Sequence, residues 1–324
     1  MIKVYKTFEI DNPLWEQIVD GFNESFDHQS SIENFKRGLS IRNKWGYAYH
    51  AIAIDEKTGD LKGFNTYHPY LYKNGLKFLL AGSVFVRKKY RKDIFIFLDM
   101  LEELKRVCVS DGFVVALGVP NHNAIDYSIK FLGSNLVGYL NYYILPVHPS
   151  KCLSKPFLKP FDGIMRFLVT GDVLVNRAIS KFFNAKEKEV KYALDVNDEY
   201  LKVRFGSPFY KKYQSGVYLA YYRIVDENGI ITAYLMDFRE KNQRTKRSLA
   251  NAVSFILKEE NVDVILFVGF LRLKQSILLN VPRKYVPKPL PLTCGIIDDT
   301  KRKELKDIVN EDNWNFSLMN FDVR

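Results

Sequence analysis

Five basic residues cluster in one short segment of the sequence. The segment RKKYRKD, residues 87–93, lies between an apolar stretch and a run with helical periodicity. The first backbone N–H groups of a helix have no partner within it and carry a partial positive charge. A basic turn at this position therefore predicts a site for a phosphate or pyrophosphate group, to which Arg and Lys donate charge-assisted hydrogen bonds. The alternative is a solvated basic loop before a helix.

Two asparagines follow the next apolar stretch, FVVALGVP. Asn121 and Asn123 would stand at the end of that strand, where their side chains can hydrogen-bond the same ligand as the basic turn. The alternative is a turn and helix N-cap, which asparagine supplies well. The two polar segments fall at matching ends of adjacent predicted strands, so together they are more specific than either alone.

Several other chemical signatures are missing from the sequence. It has no Ser-His-Asp order with a nucleophile-elbow motif, no His-rich spacing typical of a metal site and no phosphate loop. Cys108, Cys152 and Cys294 share no short spacing, which excludes a disulfide framework and a cysteine-only zinc site. Scattered cysteines without a disulfide framework are typical of a protein in a reducing compartment. We also find no leader segment and no apolar run of membrane length, so we expect a cytoplasmic protein.

Alternating strand and helix patterns in the first half would position these groups. An edge strand and two short helices precede a three-strand meander, whose turns are EKTGD and KNG. The basic segment then leads into an amphipathic helix that ends at Gly112, followed by a buried strand, a short helix ending at Gly133 and a last strand, NLVGYLNYYILPV. This order predicts the α/β class, as an α+β mixed sheet with a hairpin meander and a β-α-β unit.

The second half repeats part of this order. The strands VYLAYYRIVD and IITAYLMDFRE are joined by the turn ENG and precede a helix and the buried strand VDVILFVGF. Short helical segments are predicted at LKQSILLNV and KRKELKDIVN. The shared order indicates an internal duplication. We therefore expect an N-terminal domain over residues 1–148, a helical connector over 149–190 and a C-terminal domain over 191–324.

The connector is rich in apolar and basic side chains. Its apolar residues have helical spacing: Ile164, Phe167, Leu168, Val175, Ile179 and Phe182. One interpretation is a helix on a membrane surface. The preferred interpretation is a helix packed against the two domains, because Asp162 and Asp172 interrupt the apolar pattern.

Composition sets wider limits. The 324 residues are 47% hydrophobic and 15% aromatic, enough for two domains with large cores and unlike a disordered chain. The formal net charge is +11. An excess of basic over acidic residues suggests an anionic partner, such as a phosphorylated cofactor, a nucleic acid or an acidic membrane face. The alternative is that the excess charge only aids solubility.

The stretch from Ala81 to Gly133 resembles the acyl-CoA-binding core of the GNAT (GCN5-related) N-acetyltransferase superfamily. The resemblance is carried by the apolar strand GSVFV, the basic turn that opens a helix, and the buried strand that ends in PNHNA before a short helix. It covers Tyr47 to Leu145 well. It extends more loosely to residue 324, because the second half resembles a second such module.

Tandem copies are a known arrangement in that superfamily. They resemble acetyltransferase-like proteins of polysaccharide-synthesis clusters and, more distantly, Fem-type peptidyl transferases. The ending DNWNFSLMNFDVR, with Trp314, Phe316 and Asp322, also resembles the ending of the polysaccharide-associated group.

The resemblance implies a fold and an acyl donor. Each of two modules would be a mostly antiparallel sheet with a central β-α-β unit and flanking helices. The first module would bind acetyl-CoA or another acyl-CoA, with its pantetheine chain along a splayed strand and its pyrophosphate at the basic turn. The cofactor-binding residues so implied are Val84, Val86, Arg87, Arg91, Lys92, Ile94, Asn121 and Asn123.

The basic turn departs from the family's pattern. The family places glycines where the backbone approaches the pyrophosphate, whereas this turn has none. Asp93 would repel a phosphate there unless it caps the helix instead. The corresponding turn of the second half, REKNQRTKRS, also lacks glycine.

N-acyl transfer needs a base for the attacking amine and an acid for the departing thiolate. His68 lies on a predicted strand and would face the acceptor side, with His50 on the preceding strand as a second base candidate. The family's tyrosine aligns with Ser128, and Tyr127 stands one place earlier. The catalytic candidates are therefore His68, Tyr127 and Ser128. For each histidine, the alternative is a buried structural role.

Three functions compete. The leading hypothesis is an N-acyltransferase that moves an acyl group from acyl-CoA to a small-molecule amine, for which the resemblance implies an amino sugar of a surface polysaccharide. The second is a Fem-like transferase that uses aminoacyl-tRNA, which the net charge favours. The third is a non-catalytic binding protein that kept the fold. None of the three requires stable membrane insertion.

Overall fold

A computed structural model describes residues 1–27, 29–40, 43–121, 124–130 and 132–321, so Asn123 and Asp322 lie outside the described residues. The α-helices of this part of the chain are α1 (Asn12–Phe26), α2 (Ile32–Ser40), α3 (Phe95–Ser110), α4 (Ile125–Lys130), α5 (Pro149–Cys152), α6 (Lys159–Ile179), α7 (Asp198–Arg204) and α8 (Lys246–Glu259). Its strands are β1 (Ile2–Lys6), β2 (Tyr49–Ile54), β3 (Leu61–Leu71), β4 (Lys77–Val86), β5 (Phe113–Gly118), β6 (Asn135–Tyr139), β7 (Asn141–Pro146), β8 (Tyr192–Ala193), β9 (Lys211–Ser215), β10 (Tyr218–Glu227), β11 (Ile230–Glu240), β12 (Val264–Gly269), β13 (Leu279–Asn280), β14 (Pro291–Ile296) and β15 (Trp314–Asn315).

The chain forms two compact units, and each is assembled from separate stretches of sequence. Unit 1 comprises Met1–Gly138, Asp198–Arg204 and Leu290–Asn313, and unit 2 comprises Tyr139–Asn197, Phe205–Pro289 and Trp314–Arg324. The domain boundaries expected after residues 148 and 190 stay a prediction, since these units are defined by compactness and not by chain order.

Unit 1 is built on a seven-stranded mixed sheet with the order β1-β2-β3-β4-β5-β14-β6. β1 to β4 pair in antiparallel fashion, as the predicted meander requires. β4 and β5 are parallel, and α3 connects them. A parallel pair needs such a crossover, which confirms the β-α-β unit predicted from the sequence.

Helices cover both faces of this sheet. Trp15 of α1 and Phe35 of α2 belong to one core cluster with Phe64 of β3. Tyr67 of β3 belongs to another cluster, with Met100 of α3. Side chains alternate between the faces of a strand, so Phe64 and Tyr67 point in opposite directions and each finds its own helix layer. The parallel pair is therefore buried, as parallel strands usually are.

Unit 2 contains a six-stranded sheet with the order β13-β7-β12-β11-β10-β9 and a two-stranded sheet of β8 and β15. β10 and β11 form an antiparallel hairpin, and α8 connects β11 to its parallel neighbour β12. Hairpin, helix and parallel strand thus follow one another as they do in unit 1. Leu249, Val253 and Ile256 of α8 are fully buried in the core of this unit.

Two strands lie where the sequence did not predict them. The stretch NLVGYLNYYILPV, expected to form one strand, breaks at Leu140 into β6 in the first sheet and β7 in the second. β14, near the end of the sequence, pairs with β5 in unit 1, and β7 pairs with β12 in unit 2. A continuous apolar run predicts a buried strand but does not indicate which sheet receives it.

Two other expectations change. Leu279–Asn280 is a short strand, not part of a helix, and the helix predicted at KRKELKDIVN is replaced by a 3-10 turn at Asp299–Lys301 and further turns.

The connector does contain a long helix, α6. Val169 and Val173 are buried in the core of unit 2, whereas the opposite face of α6 is exposed, so the packing expected for this helix is found on one face.

Candidate functional site

The parallel strands β4 and β5 of unit 1 diverge part-way along β4. They pair from Lys77 to Leu80 only, whereas β4 continues to Val86. Beyond Leu80, β4 pairs with β3 and with none of the other described strands. Ala81 and Val84 are accordingly exposed, the latter by 37%. Among the described strands, none covers the edge of β4 that β5 leaves.

A β-bulge accompanies this divergence. Residues 65–67 of β3 span residues 81–84 of β4, so β4 contains one extra residue. A bulge bends its strand and increases the local twist. Gly82 lies within it, and a Cβ there would come within 2.8 Å of His68 Nε2. Gly82 was not among the predicted site residues, although a glycine inside an apolar strand is typical of a bulge.

Acidic side chains hold the basic turn that follows β4. Arg87 donates to Glu24 of α1 at 2.9 Å and also pairs with Asp20 of the same helix. Lys89 pairs with Asp60 at 2.6 Å. Arg87, which was predicted to bind the cofactor, is therefore neutralised by two carboxylates. These contacts fix the turn to unit 1 and remove two positive charges from the field that a phosphate would experience.

Three basic residues of the turn are not paired with a carboxylate among the described residues. Arg91 donates through Nε to the Val86 carbonyl oxygen at 2.9 Å and through a terminal nitrogen to Ser25 Oγ at 3.3 Å. In the part of the chain that the structure describes, Lys88, Arg91 and Lys92 form no ion pair with a carboxylate, and all three are exposed. Arg91 is thus fixed at the end of β4 with its positive charge available to an anion.

The helix after the turn begins at Phe95. The backbone N–H of Phe95 donates to Asp93 Oδ1 at 3.1 Å, so Asp93 has the capping role that the sequence left open. The next N–H groups of the first turn have no partner within the helix and carry its positive dipole. Ile94 and Phe95 are 50% and 67% exposed. The start of α3 therefore presents apolar side chains and N–H groups beside one carboxylate.

Asn121 has a structural role in the turn before α4. Asn121 accepts the backbone N–H of Ala124 through Oδ1 at 3.0 Å, and its carbonyl oxygen accepts from Ile125. The interpretation of this segment as a turn and helix cap therefore holds for Asn121. Asn123 lies outside the described residues. Any ligand contact by Asn121 would need to coexist with its capping bond.

Of the two candidate acids, Tyr127 lies beside the start of α3. Its ring centroid is 5.5 Å from that of Phe97 in the first turn of α3. Its hydroxyl oxygen is buried, and burial raises its pKa. Successive helical residues point roughly 100° apart. Ser128, half-buried on the same short helix, therefore points in a different direction.

The two candidate histidines have different surroundings. Both ring nitrogens of His50 are hydrogen-bonded, at 2.9 Å to Thr7 Oγ1 and at 3.0 Å to Thr66 Oγ1. Burial lowers the pKa of His50 to about 3, so its ring is neutral and structural. His68 is also fully buried, on the same face of β3 as Thr66. Its ring lies against Gly82, at the divergence itself.

Unit 2 has a corresponding divergence. β11 pairs with β12 from Thr232 to Tyr234 and then continues to Glu240. The register between β10 and β11 shifts beside Tyr222, which leaves one extra residue in β11. The bulge and the splayed strand of unit 1 thus recur in unit 2.

The divergence in unit 2 is filled by its own chain. Phe270 donates its backbone N–H to the Phe316 carbonyl oxygen at 2.8 Å, and Leu318 donates to that of Val268 at 3.1 Å. A Cβ on Gly269 would lie 2.6 Å from the same Phe316 oxygen. Residues 232–239 of β11 are all buried, whereas the equivalent stretch of β4 includes exposed residues.

Two arginines at and just after the end of β11 direct their positive charges inward. Asp237 is fully buried and pairs with Arg239 at 2.6 Å and Arg244 at 3.1 Å. Arg244 also pairs with Glu187 at 3.5 Å. Burial alone would raise the pKa of Asp237, but the two guanidinium groups lower it below its ordinary value. These arginines are occupied by carboxylates of unit 2 and do not face a ligand site.

Unit 2 also has an open cavity of about 600 Å³ next to α5, outside its divergence. His148 and Asp263 line it, with Nδ1 of the histidine 2.8 Å from Oδ1 of the aspartate. The other carboxylate oxygen accepts the backbone N–H of Ile231 at 2.7 Å. Asp263 thus fixes the histidine ring to the sheet. Asp162, also in the lining, accepts hydrogen bonds from the backbone and hydroxyl of Ser150.

No family model matches the chain, and no curated protein matches it in sequence. Solved structures do match its fold. A conserved protein of unknown function from Enterococcus faecalis V583, described as a probable N-acyltransferase, superposes with a TM-score of 0.57 at 12% identity, over 92% of this chain and 73% of that one. The GCN5-related N-acetyltransferase of Anabaena variabilis ATCC 29413 gives the same TM-score and coverages at 8% identity. The GCN5-related N-acetyltransferase of Kribbella flavida superposes with a TM-score of 0.55 at 8% identity, over 91% and 71%.

The chain has a GCN5-related N-acetyltransferase fold. At such low identities the similarity establishes the fold alone. The mixed sheets and the β-α-β unit predicted from the sequence are confirmed by the structure and by these neighbours.

Proposed function

We propose that the chain is an N-acyltransferase and that its acyl-CoA binds at the divergence of β4 and β5 in unit 1. The observation that carries this proposal is the uncovered edge of β4 after Leu80, which ends at the first turn of α3. An extended pantetheine chain can accept and donate the backbone hydrogen bonds that β5 no longer makes. Unit 2, in which residues 316–318 occupy the corresponding divergence, is proposed to bind no acyl-CoA there.

The charges and apolar groups at this edge suit the rest of the donor. Lys88, Arg91 and Lys92 are exposed cations of the turn that pair with no carboxylate among the described residues, and we assign the pyrophosphate to them and to the N–H groups of α3. Exposed Val84 and Phe95 would contact the apolar part of the donor. Arg87 holds the turn in place through its two carboxylates instead of binding the ligand.

The chemistry needs one proton acceptor and one proton donor. The amine nitrogen attacks the thioester carbonyl carbon, the new C–N bond forms, and the C–S bond breaks. The amine proton leaves to a base, and the departing thiolate takes a proton from an acid. We assign the acid to Tyr127, because burial raises its pKa and keeps the phenol protonated. We assign the base to His68, the described histidine that lies at the bulge.

The acceptor is proposed to be an amine, and an amino sugar of a surface polysaccharide is the first candidate. This choice rests on the resemblance of the sequence to polysaccharide-cluster acetyltransferases. Thiol release from acetyl-CoA, measured with a panel of amino sugars and simple amines, tests it. Turnover with simple amines alone would remove the sugar from the proposal and keep acyl transfer.

A non-catalytic binding role is the second candidate function. Asp93 at the helix start and the neutralised Arg87 favour it, since both weaken the attraction for a pyrophosphate. Saturable acetyl-CoA binding without turnover on any amine would support this role. Turnover that depends on Tyr127 would exclude it.

A further inference from the structure

The outer face of α6 and its flanking residues are exposed and apolar. We call the following ten residues of unit 2 the apolar face, with exposed fractions from 45% to 82%: Phe157, Phe161, Ile164, Phe167, Leu168, Leu174, Val175, Ile179, Phe182 and Phe183. Single exposed apolar residues are ordinary on protein surfaces, but a contiguous patch of this kind marks a site of interaction.

The helical geometry shows that this face is continuous. Val169, Val173 and Asn176 form the buried stripe of α6. At roughly 100° per residue, Ile164 and Phe167 project on the opposite side. The arc centred on them contains glycine, alanine and the apolar face, and no charged residue. A surface helix of a water-soluble domain carries polar residues on that side.

Basic residues border the apolar face. Lys159, Arg177 and Lys181 are exposed on one flank of the helix, and Lys155 is exposed just before it. The segment has fewer acidic residues than basic ones. Asp162 is half-buried and accepts a hydrogen bond from Ser150, so Asp172 is the acidic residue of α6 that is exposed. Long basic side chains at the border of an apolar surface can reach phosphate groups while their alkyl stems stay in contact with it.

We propose that the apolar face binds a phospholipid bilayer that contains anionic lipids, with α6 lying flat in the interface. Such a helix buries its apolar side by about 5–10 Å at the boundary between headgroups and acyl chains. None of the described helices is long and apolar enough to cross a membrane, so the binding is peripheral. The proposal takes up the membrane-surface interpretation of the connector, which was the less favoured one in the sequence analysis, and it does not depend on acyl transfer.

Charge favours a bilayer over a second copy of the chain. Two copies joined through this face would bring the basic flanks of both helices together, with repulsion between like charges. Anionic headgroups are complementary to the same residues, and each Lys or Arg near such a surface strengthens binding by about five-fold. The formal net charge of +11 acts in the same direction.

Vesicle co-sedimentation of the full chain tests the proposal. The vesicles are phosphatidylcholine alone and phosphatidylcholine with phosphatidylglycerol. We expect binding to the anionic vesicles, weakened about ten-fold or more by the double variant Phe167→Gln, Phe182→Gln. Phe8→Gln removes an equally exposed ring (71%) from unit 1 and should leave binding unchanged. Acetyl-CoA binding should be the same in all of these variants, which separates this test from the proposed activity.

A charge variant tests the choice of lipid. Arg177→Gln combined with Lys181→Gln should reduce binding to the anionic vesicles by about 25-fold, with no change on phosphatidylcholine. A Phe167→Trp variant should shift its emission to shorter wavelength when anionic vesicles are added. Absence of vesicle binding, or binding that is unaffected by the double phenylalanine variant, would overturn the proposal. Dimerisation lost in that variant, without vesicle binding, would assign the face to a second copy and also overturn it.

Discussion

At the scale of single residues, the turn after β4 combines attraction and repulsion for a phosphate. Arg91 is fixed beside the open strand edge by the Val86 carbonyl oxygen. Asp93 uses one carboxylate oxygen to cap α3 and places a negative charge where the helix dipole would favour an anion. The balance between these two residues sets the affinity for the acyl donor.

Replacing Asp93 by asparagine should tighten acetyl-CoA binding by about five- to ten-fold. The amide oxygen can still accept the Phe95 N–H, while the charge that repels the pyrophosphate is gone. Isothermal titration calorimetry at low salt measures the change. Glu102→Gln removes an exposed carboxylate further along α3 and is the matched control. Unchanged or weaker binding in the Asp93 variant would show that no phosphate lies at this helix start.

Tyr127→Phe should lower kcat by about 10²-fold with little effect on KM, because general acid catalysis is lost while the ring contact with Phe97 remains. Burial raises the pKa of Tyr127, so the alkaline fall in the wild-type rate should lie above the ordinary tyrosine value of 10.0. That alkaline fall should vanish in the variant. Tyr285→Phe, at an exposed tyrosine of unit 2, is the control, and equal kinetics in both variants would remove Tyr127 from the mechanism.

His50 should make the protein sensitive to acid. Its pKa is lowered from 6.5 to about 3 by burial, so the unfolded chain binds a proton over this range and the folded chain does not. The stability contributed by the neutral ring is therefore complete above 6.5 and is lost as the pH falls toward 3. Thermal unfolding across this window should show a steeper decline for the wild type than for His50→Asn. Parallel declines would contradict a buried neutral histidine.

At the scale of elements, the bulge in β4 separates it from β5. Gly82 leaves the space that the His68 ring occupies, and a Cβ there would approach Nε2 to 2.8 Å. Unit 2 has the same bulge, but residues 316–318 occupy the space beyond it. One element arrangement thus produces an open edge in unit 1 and a closed one in unit 2.

Gly82→Ala should destabilise the protein by about 1–3 kcal/mol, because the buried His68 ring must shift to admit the methyl group. It should also weaken acetyl-CoA binding, since the bulge shapes the open edge. Gly38→Ala, at a helical glycine of unit 1 with open space around it, should instead be neutral or slightly stabilising. Denaturant unfolding compares the two. A neutral Gly82→Ala would mean that the close approach of His68 does not constrain the strand.

The elements near the site could be predicted from the sequence because their signals are local. The apolar run of β4, the basic turn and the periodicity of α3 are adjacent in the chain. The partners of Arg87 could not be predicted, since Asp20 and Glu24 lie more than sixty residues away. An exposed side of α6 was the less favoured of two interpretations, because apolar spacing shows that a helix has a face without showing what covers it.

At the scale of the whole molecule, each sheet takes one strand from the opposite half of the sequence. β14 completes the sheet of unit 1, and β7 completes that of unit 2. The sequence pattern predicted β7 as part of one longer strand and did not predict β14, and it could not allocate either to a sheet, because sheet membership depends on long-range pairing. The similar element order of the units is consistent with the duplication inferred from the sequence. The proposed functional asymmetry comes from residues 316–318, which occupy the divergence of unit 2.

The central claim is that one acyl-CoA binds per chain, at the open edge of β4. Calorimetric titration of acetyl-CoA into the wild type, Val84→Trp and Leu136→Trp tests it most directly. Val84 and Leu136 are both 37% exposed in unit 1, but only Val84 lies on the diverging strand. We expect a single site in the wild type and in Leu136→Trp, with affinity reduced at least about ten-fold in Val84→Trp. Two sites per chain, or equal affinity in the two tryptophan variants, would contradict the claim.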